Sequence, residues 1–256
     1  MAVTPVHINP NGDYIEFIPL SCLHIGASTF NERRALRFRE YLLSDPDRYT
    51  WDLGDTMENA TRDSIGAGVY EQVLSPSKQF DYAEDFYRPL ADRKKLLGIH
   101  NSNHGYRTEK AVDFSPIEML CRELQVPFLG WQNVFSLKVG DNHQRRYNIF
   151  SWHGKYNGRS IGGALNTLVG MSNLVYNCDA YCMGHIHRRI VHEDSIRVPG
   201  KTRLGEMRRK FLACGGFIDY DDSYAEMMGL LPAMPGSGTL RFYKTEPRVE
   251  LIPLDL

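Results

Sequence analysis

Short apolar runs alternate along the chain with stretches whose apolar positions recur every three or four residues. YIEFIPL, starting at Tyr14, predicts a strand. NERRALRFREYLLSDP predicts a helix capped by Asn31, with Ala35, Leu36, Phe38, Leu42 and Leu43 turned inward. YTWDLGD predicts a short strand running into a turn. SPSKQFDYAEDFYRPLADR predicts a helix opened by Ser75-Pro76, a cap followed by proline at the first helical position, and SPIEMLCRELQV opens in the same way. KLLGIHN, YNIFSWHG and AYCMGHIH predict strands, and GGALNTLVGMSNLV predicts a helix. From RIVHEDSIRVP to LRFYKTEPRVELIPL, strands and turns dominate.

Strands alternating with helices, followed by strand-rich sequence, place the chain in the α/β class. No repeat, low-complexity tract or linker divides it, so one domain spanning residues 1–256 is expected. One position conflicts with this pattern. Pro19 falls within the first strand, where a central ladder needs an N–H, so that strand should be broken or bulged there.

Composition narrows the function classes only a little. Of 256 residues, 42% are hydrophobic and 24% charged, and the net charge of -1 argues against binding nucleic acid over the whole surface. No apolar run is long enough to span a membrane. The segment MAVTPVHINPNGDYIEF lacks a basic stretch followed by an apolar one, so a cytoplasmic setting is the expectation. The five cysteines, sparse and odd in number, suit a reducing compartment. Cys178 and Cys182 lack the CxxC spacing of a zinc knuckle and are expected to be buried small hydrophobes.

The histidines are more informative. Metal-ligating residue types stand where successive apolar runs stop: Cys22 and His24 in SCLHIG, Asp55 in LGDTMEN, Asn103 and His104 in SNHGYR, His153 in SWHGK, and His185 and His187 in MGHIHR. Open α/β sheets gather their sites beyond the carboxyl ends of strands, so these scattered residues can converge. Each motif is weak alone. Their order is what carries chemistry.

That order resembles the calcineurin-like metallophosphoesterases, whose motifs run D-x-H, G-D-x-x-D, G-N-H-D/E, H and G-H-x-H. Here they read C-L-H, G-D-T-M-E, S-N-H-G, H-G and G-H-I-H, from Cys22 to His187. GDTMENAT, SNHGYR and GGFIDYDDSYAEMMGLLP look similar to a branch found in phage and bacterial genomes. The resemblance implies a β-sandwich flanked by helices, with a dinuclear metal site at the strand ends. It implies a phosphoester hydrolase, of phosphodiesterase or nuclease type, in which a metal-bridging hydroxide attacks. Cys22, His24, Asp55 and His187 would hold one divalent ion. Asp55, Asn103, His153 and His185 would hold the other, with Asp55 bridging. His104 would protonate the leaving oxygen, and Arg107 would sit at the phosphate.

The chain departs from the family pattern at four positions. Ser102 replaces a glycine and is expected to crowd its turn. Gly105 replaces the acid that helps orient the catalytic histidine, so another acid would have to hold His104. Glu58 ends the second motif, a mild change. Cys22 replaces an aspartate, as in lariat debranching enzymes, and its softer thiolate tilts the expected metals from manganese toward zinc or iron. Whether Cys22 ligates or only fills space is open at this level. A metal-bound thiolate there would also be oxidisable, which would allow redox sensitivity.

Substrate clues are thinner. Lys155, Tyr156 and Arg159 lie on a glycine-bounded loop after His153, suited to contacting a phosphate or base, or to being a solvated turn. Arg188, Arg189, Arg208, Arg209 and Lys210 form basic clusters that would track a nucleic-acid backbone or stay solvated. Trp51, Trp131 and Trp152 are expected in the core rather than as base-stacking platforms. The expected partner is a phosphoester of nucleotide or nucleic-acid type, and no membrane. The alternative is a weakly active or inactive fold of this kind serving as a binding or scaffold module, as in retromer-type subunits.

Overall fold

The two kinds of periodicity resolve into two β-sheets with helices outside them. A computed structural model describes residues 1–62, 69–141, 145–156, 160–221, 224–229, 232 and 234–255, with the side chain of residue 224 outside that description. In chain order the elements begin with β1 (Ala2–Ile8), β2 (Tyr14–Phe17), α1 (Glu32–Leu43), β3 (Arg48–Asp52), α2 (Pro76–Asp92) and β4 (Leu96–Ile99). Next come α3 (Asn103–Val112), α4 (Pro116–Leu124), β5 (Gln132–Val139), β6 (Arg145–Trp152), α5 (Ile161–Gly170) and β7 (Ala180–Met183). The chain ends with β8 (Ile190–Pro199), β9 (Leu204–Ala213), α6 (Tyr224–Met227), β10 (Ser237–Tyr243) and β11 (Val249–Leu254).

One sheet has the order β1-β5-β6-β7-β9-β8, the other β11-β10-β2-β3-β4. The period-two alternation of strand side chains decides what lies between them. Phe17, Trp51, Leu240 and Phe242 of one sheet share a core with Phe135, Leu137, Ile149, Cys182 and Leu212 of the other. The intervening residues face outward and bury the helices. Tyr181, Phe211 and Phe150 meet Leu168 of α5. On the opposite side, Leu20, Leu96 and Ile99 meet Phe38 of α1, Phe86 of α2 and Leu120 of α4. The expected sandwich flanked by helices is present.

Local chemistry sets the element ends. The Asn31 side chain accepts from the Arg34 N–H at 2.9 Å and opens α1. Ser115 does the same for the Glu118 N–H at 3.4 Å. Ser75 departs from expectation: Pro76 starts α2, but the Ser75 hydroxyl makes no capping bond and lies 3.2 Å from that of Ser77. The periodicity does not mark β1 or α3, for physical reasons, whereas β5 carries the strand alternation in Phe135, Leu137 and Val139. β1 is a largely exposed edge strand. α3 buries only His104 and Gly105, so it has no apolar stripe.

Pro19 breaks the first strand as expected. β2 stops at Phe17, while the Ile18 and Leu20 N–H groups still donate to Tyr49 O and Trp51 O at 2.9 and 3.0 Å. The proline ring therefore falls where a parallel ladder asks nothing of its nitrogen. Its carbonyl accepts from the Ser237 hydroxyl at 2.5 Å.

Behind the strand ends, Asp52 is fully buried and burial pushes its carboxyl up, while bonds from Thr56, Tyr87 and Gly54 pull it back. The Tyr87 hydroxyl donates to Asp52 Oδ2 at 2.6 Å, and the Gly54 N–H donates to Oδ1 at 2.7 Å. Helix α2 is thus tied to the turn that carries Asp55. Tyr87→Phe should cost about 1–3 kcal/mol, because it removes a bond to a buried acid. Urea unfolding measures this, and parental stability in the variant would contradict the brace.

Candidate metal centre

β2, β3 and β4 run parallel to one another, as do β6 and β7. The segments leaving their carboxyl ends meet at one place between the sheets. Cys22 N–H donates to Gly54 O, His24 N–H to Asp55 O, and Ile25 N–H to Thr56 O, at 2.8–2.9 Å. These bonds zip the first motif to the second before any side chain is considered.

The backbone there is unusual. Cys22, His24, Asp55, His185 and His187 all have positive φ, between 52° and 67°. Non-glycine residues seldom adopt this left-handed conformation, which costs about 1–2 kcal/mol each. The arrangement lets residues two apart aim at one centre. Leu23 and Ile186, between them, turn away into apolar clusters. Gly54, at φ 107°, is held to glycine by space as well, since a Cβ would lie 2.9 Å from His153 Nδ1 and 2.8 Å from Ser102 Cβ.

Two donor groups result. Cys22, His24, Asp55 and His187 place ligand atoms within 4.8 Å of one another, as do Asp55, His153 and His185. Asp55 belongs to both. Asn103 joins the second group through its Oδ1, 2.9 Å from His153 Nε2. A third grouping, His24, Glu58 and His104, adjoins the first. Every residue expected to ligate thus lies in one cluster, with His104 and Arg107 beside it. Residue 159 lies outside the described residues.

The surrounding bonds fix which imidazole atoms face inward. His24 Nδ1 donates to Glu58 Oε2 at 2.9 Å, and His153 Nδ1 donates to Leu53 O at 2.8 Å, so each presents Nε2 to the centre. His24 Nε2 then lies 3.0 Å from His187 Nε2, and His153 Nε2 lies 3.3 Å from His185 Nδ1. Lone pairs directed at each other this closely need a proton or a cation between them. His153 Nε2 is also 3.2 Å from Asp55 Oδ2.

Electrostatics agrees with a cation site. Burial pulls His185 down to about 4 and His187 well below its usual value, so both are neutral and able to ligate. Burial alone would lower His24, but the bond and charge of Glu58 raise it. Burial would raise Asp55, yet the imidazoles of His104, His153 and His24 hold it well below the usual carboxylate range. Burial and the Asp55 charge push the Cys22 thiol well up, so a thiolate there needs a cation. Its sulfur is nonetheless turned to the site: the His185 N–H donates to Sγ at 3.3 Å. A buried thiol of raised pKa lacks the exposed, acidic profile of a redox-sensing cysteine.

Imidazoles, a shared carboxylate, an amide oxygen and a thiol therefore fit two divalent cations, with the softer set around Cys22.

The departures from the family pattern change meaning here. Ser102 does not crowd its turn. It is the extended N-cap of α3 and accepts from the Gly105 N–H at 3.4 Å. At Gly105 a Cβ would sit 2.7 Å from Asn101 Oδ1, so an acid there would require the Asn101 side chain to shift. His104 is held instead by the backbone carbonyl of Glu58, with its carboxylate 3.5 Å away, a contact that the motif spacing hid. His104 Nδ1 donates to Glu58 O at 2.8 Å, and Arg107 Nη1 reaches Glu58 Oε1 at 3.3 Å.

Outside the cluster, the expectations fare unevenly. Lys155 is exposed two residues beyond His153. The Tyr156 hydroxyl instead donates to Ser160 O at 2.7 Å and packs against the start of α5. The basic clusters are engaged in structure: Arg209 forks onto Asp194, Lys210 pairs with Glu193, Arg208 with Glu206, and Arg189 with Asp255. Arg188 donates to Pro232 O at 3.0 Å. Trp51 is core as expected, but Trp131 is 46% exposed and is no core residue. No described helix is long and apolar enough to cross a membrane.

No family model and no curated protein matches the chain. Solved structures similar to it include a conserved uncharacterized protein of Streptococcus pneumoniae, a predicted phosphoesterase. It is 10% identical, with 95% of this chain and 99% of that chain covered and a TM-score of 0.41. Chaetomium thermophilum Vps29 is 12% identical, with 95% and 97% covered and a TM-score of 0.41. A metallophosphoesterase from Sphaerobacter thermophilus is 14% identical, with 94% and 88% covered and a TM-score of 0.40. These likenesses are distant, and what the site can do follows from its own side chains.

Two outcomes are expected. Cys22→Asp should retain metal binding but shift preference toward manganese, whereas Cys22→Ala should weaken binding; titration with zinc and manganese checks this, and unchanged affinity in both variants would make Cys22 a space-filler. In metal-free protein, buried His100 (about 3), His104 (about 4) and His185 (about 4) sit below the ordinary histidine value of 6.5. The unfolded chain then binds more protons, so stability falls as pH drops from 6.5 toward 4, by up to about 1.4 kcal/mol per pH unit for each group. Urea unfolding at pH 7, 6 and 5 measures the slope, and a flat profile would contradict it.

Proposed function

We propose that the protein is a dinuclear metal-dependent phosphoesterase that hydrolyses phosphodiesters of nucleotide or nucleic-acid type. One observation carries this reading: two donor groups share the buried Asp55, with His104 and Arg107 at their edge. When bound, two divalent cations would offset the phosphate charge and acidify water enough to supply a nucleophile near neutral pH.

The chain's own residues do the rest. Asp55 joins the two groups, and its Oδ2 is 3.2 Å from His153 and 3.8 Å from His24. His104 Nδ1 is taken by Glu58 O, leaving Nε2 on the centre's side, 4.0 Å from Asp55 Oδ2. Nε2 is therefore the atom from which a proton would reach the leaving oxygen. Burial holds His104 down at about 4, against the pull of Asp55. An anionic phosphate brought against Nε2 supplies the charge that favours its protonated form. Arg107, one turn further along α3, is ion-paired with Glu58 and adds positive charge on the same side.

The scaffold alternative loses one of its motives, since Ser102 caps a helix. It survives as an outcome of the test. The purified protein should contain close to two metal ions and hydrolyse an aryl phosphodiester. His104→Ala should lower kcat by about 10²–10⁴-fold, the usual worth of a general acid, with metal content unchanged. Full activity in that variant would remove His104 from the role. Absence of both metal and turnover across zinc, manganese, iron and nickel would favour the scaffold.

A further inference from the structure

We infer that Trp131 and Tyr106 form a stacking surface for the base of a nucleoside phosphodiester whose phosphate lies at the Asp55 centre. The choice of a nucleotide as occupant rests on the phosphodiesterase reading above; the surface itself is visible without it.

Trp131 and Tyr106 are 46% and 45% exposed, and their ring centroids are 5.6 Å apart at 72°. Among the described residues, no other ring pair has both partners exposed. Large aromatics left half in water, paired with each other rather than with the core, call for a reason.

Their position supplies one. The register that sets Gln132 of β5 against Trp152 of β6 brings Trp131 level with His153, a member of the second donor group. The preceding carbonyl, Gly130 O, accepts from the Asn101 N–H at 2.9 Å and from His100 Nδ1 at 3.0 Å. The turn carrying Trp131 is thereby pinned to the segment that delivers Asn103. Tyr106 follows Asn103 by three residues, so it stands one turn up the same helix, next to Arg107. The aromatic pair thus borders the Asn103 and His153 side of the centre.

The charge pattern matches the occupant. Arg107 lies on one side of the pair in sequence, and exposed Lys155 follows His153 by two residues. A site with cations at a phosphate and bare aromatic faces beside it has the ingredients by which proteins hold unpaired nucleotides, namely backbone charge and base–aromatic stacking. Stacking tolerates any base, so selection for one nucleobase is not expected from this surface.

Two aryl diesters that release the same chromophore test the surface: the p-nitrophenyl ester of thymidine 5′-monophosphate and methyl p-nitrophenyl phosphate. In Trp131→Ala, the ratio of kcat/KM for the thymidine ester to that for the methyl ester should fall about tenfold, the scale of one lost stacking contact. Trp131→Phe should keep most of that ratio. Independently of turnover, thymidine 5′-monophosphate should quench the tryptophan emission of the metal-loaded protein, and Trp131→Phe should abolish the quench although Trp51 and Trp152 remain. An unchanged ratio in both Trp131→Ala and Tyr106→Ala, or a quench that persists in Trp131→Phe, would overturn the stacking surface while leaving the hydrolase standing. A Trp131-dependent quench with neither ester hydrolysed would keep the surface and sink the hydrolase. Neither quench nor hydrolysis would overturn both.

Discussion

The whole arrangement depends on one buried carboxylate that serves two donor groups. Asp55 sits in a left-handed turn, with imidazoles of His24, His104 and His153 around it. An ionised acid so deep is tolerable only because those rings, or cations among them, balance its charge. Almost everything nearby keeps it in place. Gly54 gives the turn its shape, and Asp52 ties that turn to Thr56 and, through Tyr87, to helix α2. Parallel strands bring the partners to the same level. The sandwich core is therefore also the mount of the site, and Tyr87 links α2 to the turn that carries Asp55.

Glu58 is the second organiser, and it works through other residues. One side of it receives His24, another receives His104, and Arg107 reaches both its carbonyl and its carboxylate. A single residue thus sets the tautomer of a donor through its carboxylate and, through its backbone carbonyl, the orientation of the residue proposed as proton donor. This explains why Gly105 is tolerated where an acid would otherwise stand. A side chain at that position would need Asn101 to give way, since a Cβ would lie 2.7 Å from its Oδ1. The orienting duty has moved to a residue already in contact with both histidines.

The donor residues were legible in the sequence because they stand at the ends of apolar runs in a fixed order. What decided their convergence was not legible. Positive φ at Cys22, His24, Asp55, His185 and His187 is a property of the folded backbone, and no residue type there announces it. Glu58 was visible as a letter in GDTME but not as a partner of His104, since that contact spans 46 positions. Trp131 was misplaced in the core because a tryptophan at a strand start gives no periodic hint of which way it faces. The helix α3 was hidden by its lack of an apolar stripe. The basic clusters left two readings open in the sequence, and the ladder adds what neither showed: Asp194 and Glu193 of β8 pair with Arg209 and Lys210 of β9.

Cys22 gathers these threads. Its sulfur is buried, faces Asp55 and the histidines, and accepts the His185 N–H. A residue that only filled space would gain nothing from a left-handed backbone or from proximity to a carboxylate that resists its ionisation. Both costs are offset if a cation binds there, because the cation converts the repulsion between thiolate and Asp55 into joint attraction. The left-handed backbone at Cys22 and the raised thiol both suit a site that binds a cation. On this account a thiolate at Cys22 would make the first donor group weaker than an aspartate-bearing one for hard ions and stronger for soft ones.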